Sequence, residues 1–240
     1  MELAPGLHRI GTDHVNCYLV VDSRGVTLVD AGLSGHWSEL VPELALMGLS
    51  LSDVKALLLT HGDTDHIGFA ERLRREAGVP VYIHEADAAR ARGEEKTSPD
   101  WGPMRVGPLL GFLWYSAIRG GLRTKYLTEV ETLQGGETLD VPGDPTVLPM
   151  SGHSPGSVAY HFQGVDAVFV GDALTTGHVL TGAQGPQPAP FTDDSTEALQ
   201  SLAILEQLEA TWVLPGHGAP WDGGTEEAVH RVREFATTQG

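Results

Sequence analysis

Thr60-His61-Gly62-Asp63-Thr64-Asp65-His66 sets four potential metal ligands within six residues, at the end of the apolar run Lys55 to Thr60. One loop can aim imidazoles and carboxylates at a common point only if small residues such as Gly62 and Thr64 alternate with them. Carboxylates packed this densely at the end of a buried strand would repel one another, and their desolvation would be costly without a cation. A metal resolves that conflict.

The pattern around this loop is strand, helix, strand. Downstream, Ile67 to Ala77 reads as a helix with Phe69, Leu73 and Ala77 on one face, closed by Gly78, and Val79 to Ile83 reads as a strand before a short helix over Glu85 to Arg92. Upstream, Val15 to Val21 and Val26 to Val29 are β-rich runs joined by the turn Asp22-Ser23-Arg24-Gly25, and a helix through Trp37, Leu40, Val41, Leu44 and Met47 stops at Gly48. Thr146 to Met150, Ser157 to Phe162, Ala167 to Val170 and Thr211 to Leu214 are further strands, with helices over Ser195 to Leu208, headed by Asp193 and Asp194, and over Thr225 to Ala236. This alternation implies an α/β layering.

More ligand types stand just past the later strands: His153 in Ser151-Gly152-His153-Ser154-Pro155-Gly156, Asp172 after Val170-Gly171, and His217 in Leu214-Pro215-Gly216-His217-Gly218. Glycine beside each lets the backbone turn tightly and come close to a metal. Taken in order with Leu28-Val29-Asp30-Ala31-Gly32, these motifs resemble the metallo-β-lactamase superfamily, and the resemblance runs from about Asn16 to Gly218.

The resemblance implies an αββα four-layer sandwich with two divalent metals at the sheet edge. His61, Asp63 and His153 would hold the first metal, Asp65, His66 and His217 the second, and Asp172 would bridge them. Asp65 would also act on the water as it coordinates, and Asp30 would hydrogen-bond behind the ligands. Asp63 departs from the commonest pattern, His-x-His-x-Asp-His. A carboxylate is a harder, anionic ligand, which keeps zinc first but brings iron or manganese into range. If Asp63 does not bind, a one-metal or weakened site remains.

Composition bounds the rest. The 240 residues suit one domain over 1–240, with 41% hydrophobic residues to fill a core. Lys and Arg total 15 against 32 Asp and Glu, a formal charge of -17 that repels nucleic acid and anionic lipid, so a small-molecule substrate is expected. The single cysteine, Cys17, lies in an apolar run and reads as a buried structural thiol. Met1-Glu2-Leu3-Ala4-Pro5-Gly6 has neither a basic start nor a signal-length apolar stretch, and no run is long enough to span a bilayer, so a cytoplasmic protein is expected.

One stretch breaks the pattern. Residues 97–128 carry Trp101, Met104, Leu109, Leu110, Phe112, Leu113, Trp114, Tyr115, Ile118 and Tyr126 among glycines and prolines. They read as an insertion with a helix near Leu109 to Ile118. It forms a lid over the site, a contact with a partner subunit in a homodimer, or a plainly packed helix and loop.

The remaining histidines, His8, His14, His36, His84, His161, His178 and His230, lack ligand-like neighbours and are expected at the surface or behind the ligands, with His178 closest to the pocket. Ser154 and Ser157 read as turn and strand residues, not nucleophiles. The chemistry implied is metal-assisted hydrolysis of a small ester-like bond, a thioester or lactone. A phosphodiesterase, a non-haem iron oxygen or sulfur enzyme and a non-catalytic metal-binding protein are the alternatives.

Overall fold

A computed structural model describes residues 1–95 and 101–239. Part of the expected insertion, residues 97–100, lies outside the described residues. Seven strands form the first sheet in sequence order: β1 (Glu2–Ala4), β2 (Leu7–Thr12), β3 (Val15–Asp22), β4 (Gly25–Val29), β5 (Val54–Leu58), β6 (Val81–His84) and β7 (Glu131–Leu133). The second sheet uses β8 (Thr146–Pro149), β9 (Val158–Phe162), β10 (Ala167–Gly171) and β13 (Trp212–Pro215), in the order β13-β10-β9-β8. A small ribbon pairs β11 (Thr175–Gly177) with β12 (Gln184–Gln187).

Side-chain parity explains the layering. Cys17 and Leu19 of β3 face the helices α1 (Trp37–Leu46) and α2 (Ala70–Ala77), whereas Tyr18 and Val20 face the opposing sheet. In β10 the alternation runs the other way. Ala167 and Phe169 turn toward the first sheet, and Val168 and Val170 toward α5 (Ser195–Ser201), α6 (Ala203–Glu206) and α7 (Thr225–Gln239). Both faces of each sheet are therefore buried, which is why the strands read as continuous apolar runs. The result is the four-layer αββα sandwich. Each fully buried Phe or Leu contributes about 1.5–3 kcal/mol to it.

The sandwich is pinned near one end by polar bonds between the sheets. The Tyr160 hydroxyl donates to Leu59 O at 2.8 Å, and Val158 N–H donates to Thr60 O at 2.9 Å. On the other side, Asn16 Nδ2 donates to Pro215 O and Gly218 O at 3.0 and 2.8 Å, and Tyr18 Oη donates to Pro215 O at 2.8 Å.

Several boundaries differ from the sequence reading. The helix after His66 starts only at Ala70, because Gly68 N and Phe69 N donate to Gly32 O and Ala31 O instead of to a preceding helical turn. The helix read over Ser195 to Leu208 breaks at Leu202 into α5 and α6. Short strands β1, β2, β7, β11 and β12 carry no strong alternation of their own and form through pairing with neighbours. The insertion helix, α4 (Val106–Ile118), is one turn longer than expected. Among the described residues, no helix is long and apolar enough to cross a membrane.

Candidate metal centre

β4, β5 and β6 run parallel, as do β10 and β13, so the loops leaving β4, β5, β10 and β13 gather at the carboxyl ends of the strands. Asp30 follows β4, the His61–His66 loop follows β5, Asp172 follows β10 and His217 follows β13. His153 joins them from the loop between β8 and β9. All seven expected site residues thus meet at one rim.

They form two adjoining clusters. His61, Asp63 and His153 make one, with Asp63 Oδ2 at 3.6 Å from His61 Nε2 and 3.4 Å from His153 Nε2. Asp65, His66 and His217 make the other, with His217 Nε2 at 3.4 Å from Asp65 Oδ2. Asp172 lies between. Its Oδ2 is 3.2 Å from His217 Nε2 and 3.8 Å from His153 Nε2, and its Oδ1 is 3.6 Å from His66 Nε2.

The proton positions on the four imidazoles follow from their outer partners. His66 Nδ1 donates to Asp30 Oδ2 at 2.8 Å, and His217 Nδ1 donates to His14 O, since neither partner has a proton to give. Thr60 Oγ1 spends its proton on Asp30 Oδ2 at 2.8 Å, so His61 Nδ1 must donate to Thr60 Oγ1 at 3.0 Å. Thr192 Oγ1 likewise donates to Ala189 O at 2.9 Å, which makes His153 Nδ1 the donor to Thr192 at 3.3 Å. Every ring therefore turns Nε2 inward. His61 Nε2, His66 Nε2, His153 Nε2 and Asp172 Oδ1 are buried without a hydrogen-bond partner, an arrangement that costs free energy unless a cation accepts their lone pairs. The donor set fits a pair of divalent ions.

The electrostatics agree. Burial opposes charge on His66, but the Asp30 and Asp172 carboxylates outweigh it and raise its pKa to about 10. Burial also opposes charge on His217, and Asp172 raises it to about 9. Asp172 is held far below the usual carboxylate range despite its burial, chiefly by His217 and His66, and Asp63 is lowered in the same way beside His153 and His61. A site that holds protons this firmly is built for positive charge.

Close packing demands glycine at two points. A Cβ on Gly216 would lie 2.4 Å from His66 Cε1 and 2.5 Å from Asp172 Oδ1. Gly171 sits at φ +51°, and a Cβ there would lie 2.3 Å from Thr60 Oγ1.

Other contributors are not apparent from the sequence. Helix α3 (Ala88–Ala91) is a single turn, but Asp87 at its start accepts from Gly62 N and Ser154 Oγ through Oδ2 at 2.7 and 2.8 Å, and from Gly156 N through Oδ1 at 2.8 Å. It ties the His61 loop to the His153 loop. One turn on, buried Arg90 donates from Nε to Asp63 Oδ1 at 2.5 Å and from Nη1 to Asp193 Oδ2 at 2.7 Å. The spacing of an acid and a base in a short helix resembles ordinary surface sequence, and only the fold buries both.

Helix α4 lies beside the rim. Its Phe112 ring is 6.0 Å from that of His217, and its Tyr115 hydroxyl bonds to His36 Nε2 at 2.8 Å. His36, expected at the surface or behind the ligands, is instead fully buried and bonded to Leu33 and Tyr115, and burial lowers its pKa to about 4. Its Nδ1 accepts from Leu33 N at 3.0 Å, so Nε2 carries the proton to Tyr115. His178 is buried as well, and burial lowers its pKa, with His217 adding to the effect. Ser154 Oγ is committed to Asp87, in keeping with a turn role.

The sequence model of the metallo-beta-lactamase superfamily matches residues 10–217. The chain belongs to the metallo-beta-lactamase superfamily. Among its relatives, the probable metallo-hydrolase YflN of Bacillus subtilis is 28% identical over 92% of this chain and 87% of its own length. The metallo-beta-lactamase family protein TTHA1429 of Thermus thermophilus superposes with a TM-score of 0.71 at 24% identity, covering 99% of this chain and 81% of that one, and supports the fold. TTHA1623, solved in a di-iron-bound form, superposes with a TM-score of 0.64 at 28% identity over 92% of this chain and 96% of its own. The protein is a metallo-hydrolase of this superfamily, and it carries groups of His and Asp side chains close enough together to hold a metal ion.

Proposed function

We propose that this chain is a dinuclear hydrolase of small ester-like substrates, a thioester or a lactone, with His61, Asp63 and His153 holding one ion, Asp65, His66 and His217 the other, and Asp172 both. The observation that carries this reading is the set of inward Nε2 atoms, those of His61, His66 and His153 buried without a partner, each fixed by an outer bond on Nδ1. Held by these residues, divalent ions would supply an acidified water and a polarised substrate carbonyl.

The protein's own groups do the rest. Asp65 is the least buried of the second cluster and faces the shared space, placed to orient the water and accept its proton. The buried bonds from Asp30, Thr60, Thr192 and His14 hold the imidazoles still, so little reorganisation accompanies the reaction. No serine or cysteine nucleophile is needed.

Helix α4 supports an apolar substrate portion. It carries no charged side chain between Val106 and Ile118, and Phe112 shields the edge of His217. An acyl chain laid along it would exclude water from the reacting carbonyl. A zinc enzyme is the first reading. An iron enzyme is the second, favoured by the carboxylate at Asp63 and by the di-iron form of TTHA1623.

The test is metal analysis of protein purified without added metal, combined with thioesters and lactones of graded acyl length and a phosphodiester. Two equivalents of zinc with ester turnover are expected. One iron per chain with oxygen consumption would overturn the hydrolytic reading. His66→Ala is expected to abolish turnover with the fold intact by circular dichroism, and full activity would remove the second ion from the scheme.

A further inference from the structure

We propose that Arg90 is the positioning residue that decides how Asp63 ligates and which metals the first cluster prefers; the inference rests on the metal centre proposed above. Asp63 stands where the commonest pattern of the superfamily has a neutral imidazole. A free carboxylate there would add a negative charge and a second oxygen, and both favour harder metals. The surroundings remove both differences.

Arg90 Nε holds Asp63 Oδ1 at 2.5 Å, on the side away from the imidazoles. Only Oδ2 faces the cluster, at 3.6 Å from His61 Nε2 and 3.4 Å from His153 Nε2. A charge-assisted bond of this kind competes with bidentate ligation, so Asp63 is left to act as a one-oxygen donor. It then occupies a single position, as an imidazole nitrogen would. The guanidinium also offsets the carboxylate charge at a place where solvent screens little, because the Arg90 side chain is only 6% exposed.

The far side of Arg90 is fixed too. Nη1 donates to Asp193 Oδ2 at 2.7 Å, and Asp193 N–H donates to His153 O at 3.0 Å. One planar fork thereby fastens the carboxylate donor and, through Asp193, the backbone of the imidazole donor opposite. A lysine could match the charge but not the fork. Among the described residues, the other ion-pair partners of Asp63 are the two imidazoles themselves.

The consequence is a softer, more zinc-like site than the Asp63 carboxylate alone would give. The experiment compares the wild type with Arg90→Met, Arg90→Lys, Asp63→His and the double variant Asp63→His/Arg90→Met. Zinc and manganese affinities are measured by chelator competition, and the visible spectrum of the cobalt-substituted protein reports coordination. Arg90→Met is expected to lower zinc affinity about tenfold or more, in the range found when a group behind a metal ligand is lost. It should lower manganese affinity less, so the zinc-to-manganese ratio falls, and the cobalt bands should weaken as Oδ1 joins the coordination sphere. Arg90→Lys should recover part of the zinc affinity.

The sign should reverse when the carboxylate is gone. Asp63→His leaves the guanidinium against a neutral ligand and should bind zinc weakly, and removing Arg90 from that background should strengthen binding. A purely structural Arg90 would weaken every metal alike, leave the cobalt spectrum unchanged and give no reversal, and any of these overturns the proposal. If Arg90→Met does not fold, the Asp63→His pair makes the same comparison. Wild-type protein that binds neither zinc nor cobalt would instead sink the metal centre itself.

Discussion

Replacing Asp30 with Asn tests the tautomer argument with the least disturbance. Asp30 sits at φ +60°, a conformation Asn tolerates as well as Asp, so the backbone is not the variable. The carboxylate accepts three bonds at 2.8 Å, from Thr60 N, Thr60 Oγ1 and His66 Nδ1. Asparagine keeps one acceptor and turns an NH2 toward the others. With Oδ on Thr60 N, the NH2 faces His66 Nδ1, and the neutral imidazole that metal binding requires relieves the clash by keeping its proton on Nε2, where the metal would bind. The Thr60 hydroxyl loses its acceptor in the same step, and His61, which it holds, loosens with it. Loss of a group behind one ligand weakens metal binding about 10- to 100-fold, roughly 1.4 to 2.8 kcal/mol, and disturbance of two imidazoles points to the upper end. Zinc competition with a chelator measures the loss, and circular dichroism with chelator present checks that the fold survives. An Asp30→Asn protein that holds zinc within about twofold of wild type would refute the claim that these outer bonds set the ligating nitrogen.

Four further outcomes follow from the same geometry. Gly216→Ala should cost more than tenfold in metal affinity, because the new Cβ would press on His66 and Asp172; unchanged zinc content after dialysis would contradict the packing. Tyr115→Phe leaves the buried His36 Nε2–H without its acceptor, so chemical denaturation should register a loss of about 1–3 kcal/mol, with earlier proteolytic cutting in α4. Metal loading near pH 7.5 should release about two protons, from His66 and His217, whose pKa values are about 10 and 9, as read by calorimetry in buffers of different ionisation enthalpy. The same raised values stabilise the chelated protein fully below about pH 6.5, and that contribution is lost as pH rises through 9 and 10, so the melting temperature of chelated protein should fall over that range.

Much of this centre was legible because its ligands obey local rules. Each stands immediately past a buried strand with glycine or another small residue beside it, and parallel strands deliver such positions to one edge. Asp30 was readable for the same reason. Asp87, Arg90 and Thr192 were not, since their roles depend on contacts 25 residues or more away in sequence, and nothing in their neighbours distinguishes them from surface residues. His36 was misplaced because its partner, Tyr115, belongs to the insertion. The short strands β1, β2, β7, β11 and β12 were missed because pairing, not side-chain alternation, stabilises them. Asp63 shows the limit most clearly: the residue type suggested a harder metal site, and only the position of Arg90 reveals what offsets it.

The bonds from Asn16 to Pro215 and Gly218 join positions about 200 residues apart. During synthesis the final imidazole at position 217 cannot be seated until the chain's last strand has left the ribosome and reached the first hairpin. On the proposed reading, ion capture would therefore be a late event, and a nascent chain carrying only the His61–His66 loop would be a poor competitor for the metal. Occupancy of the finished site would report that the two halves of the chain have found each other.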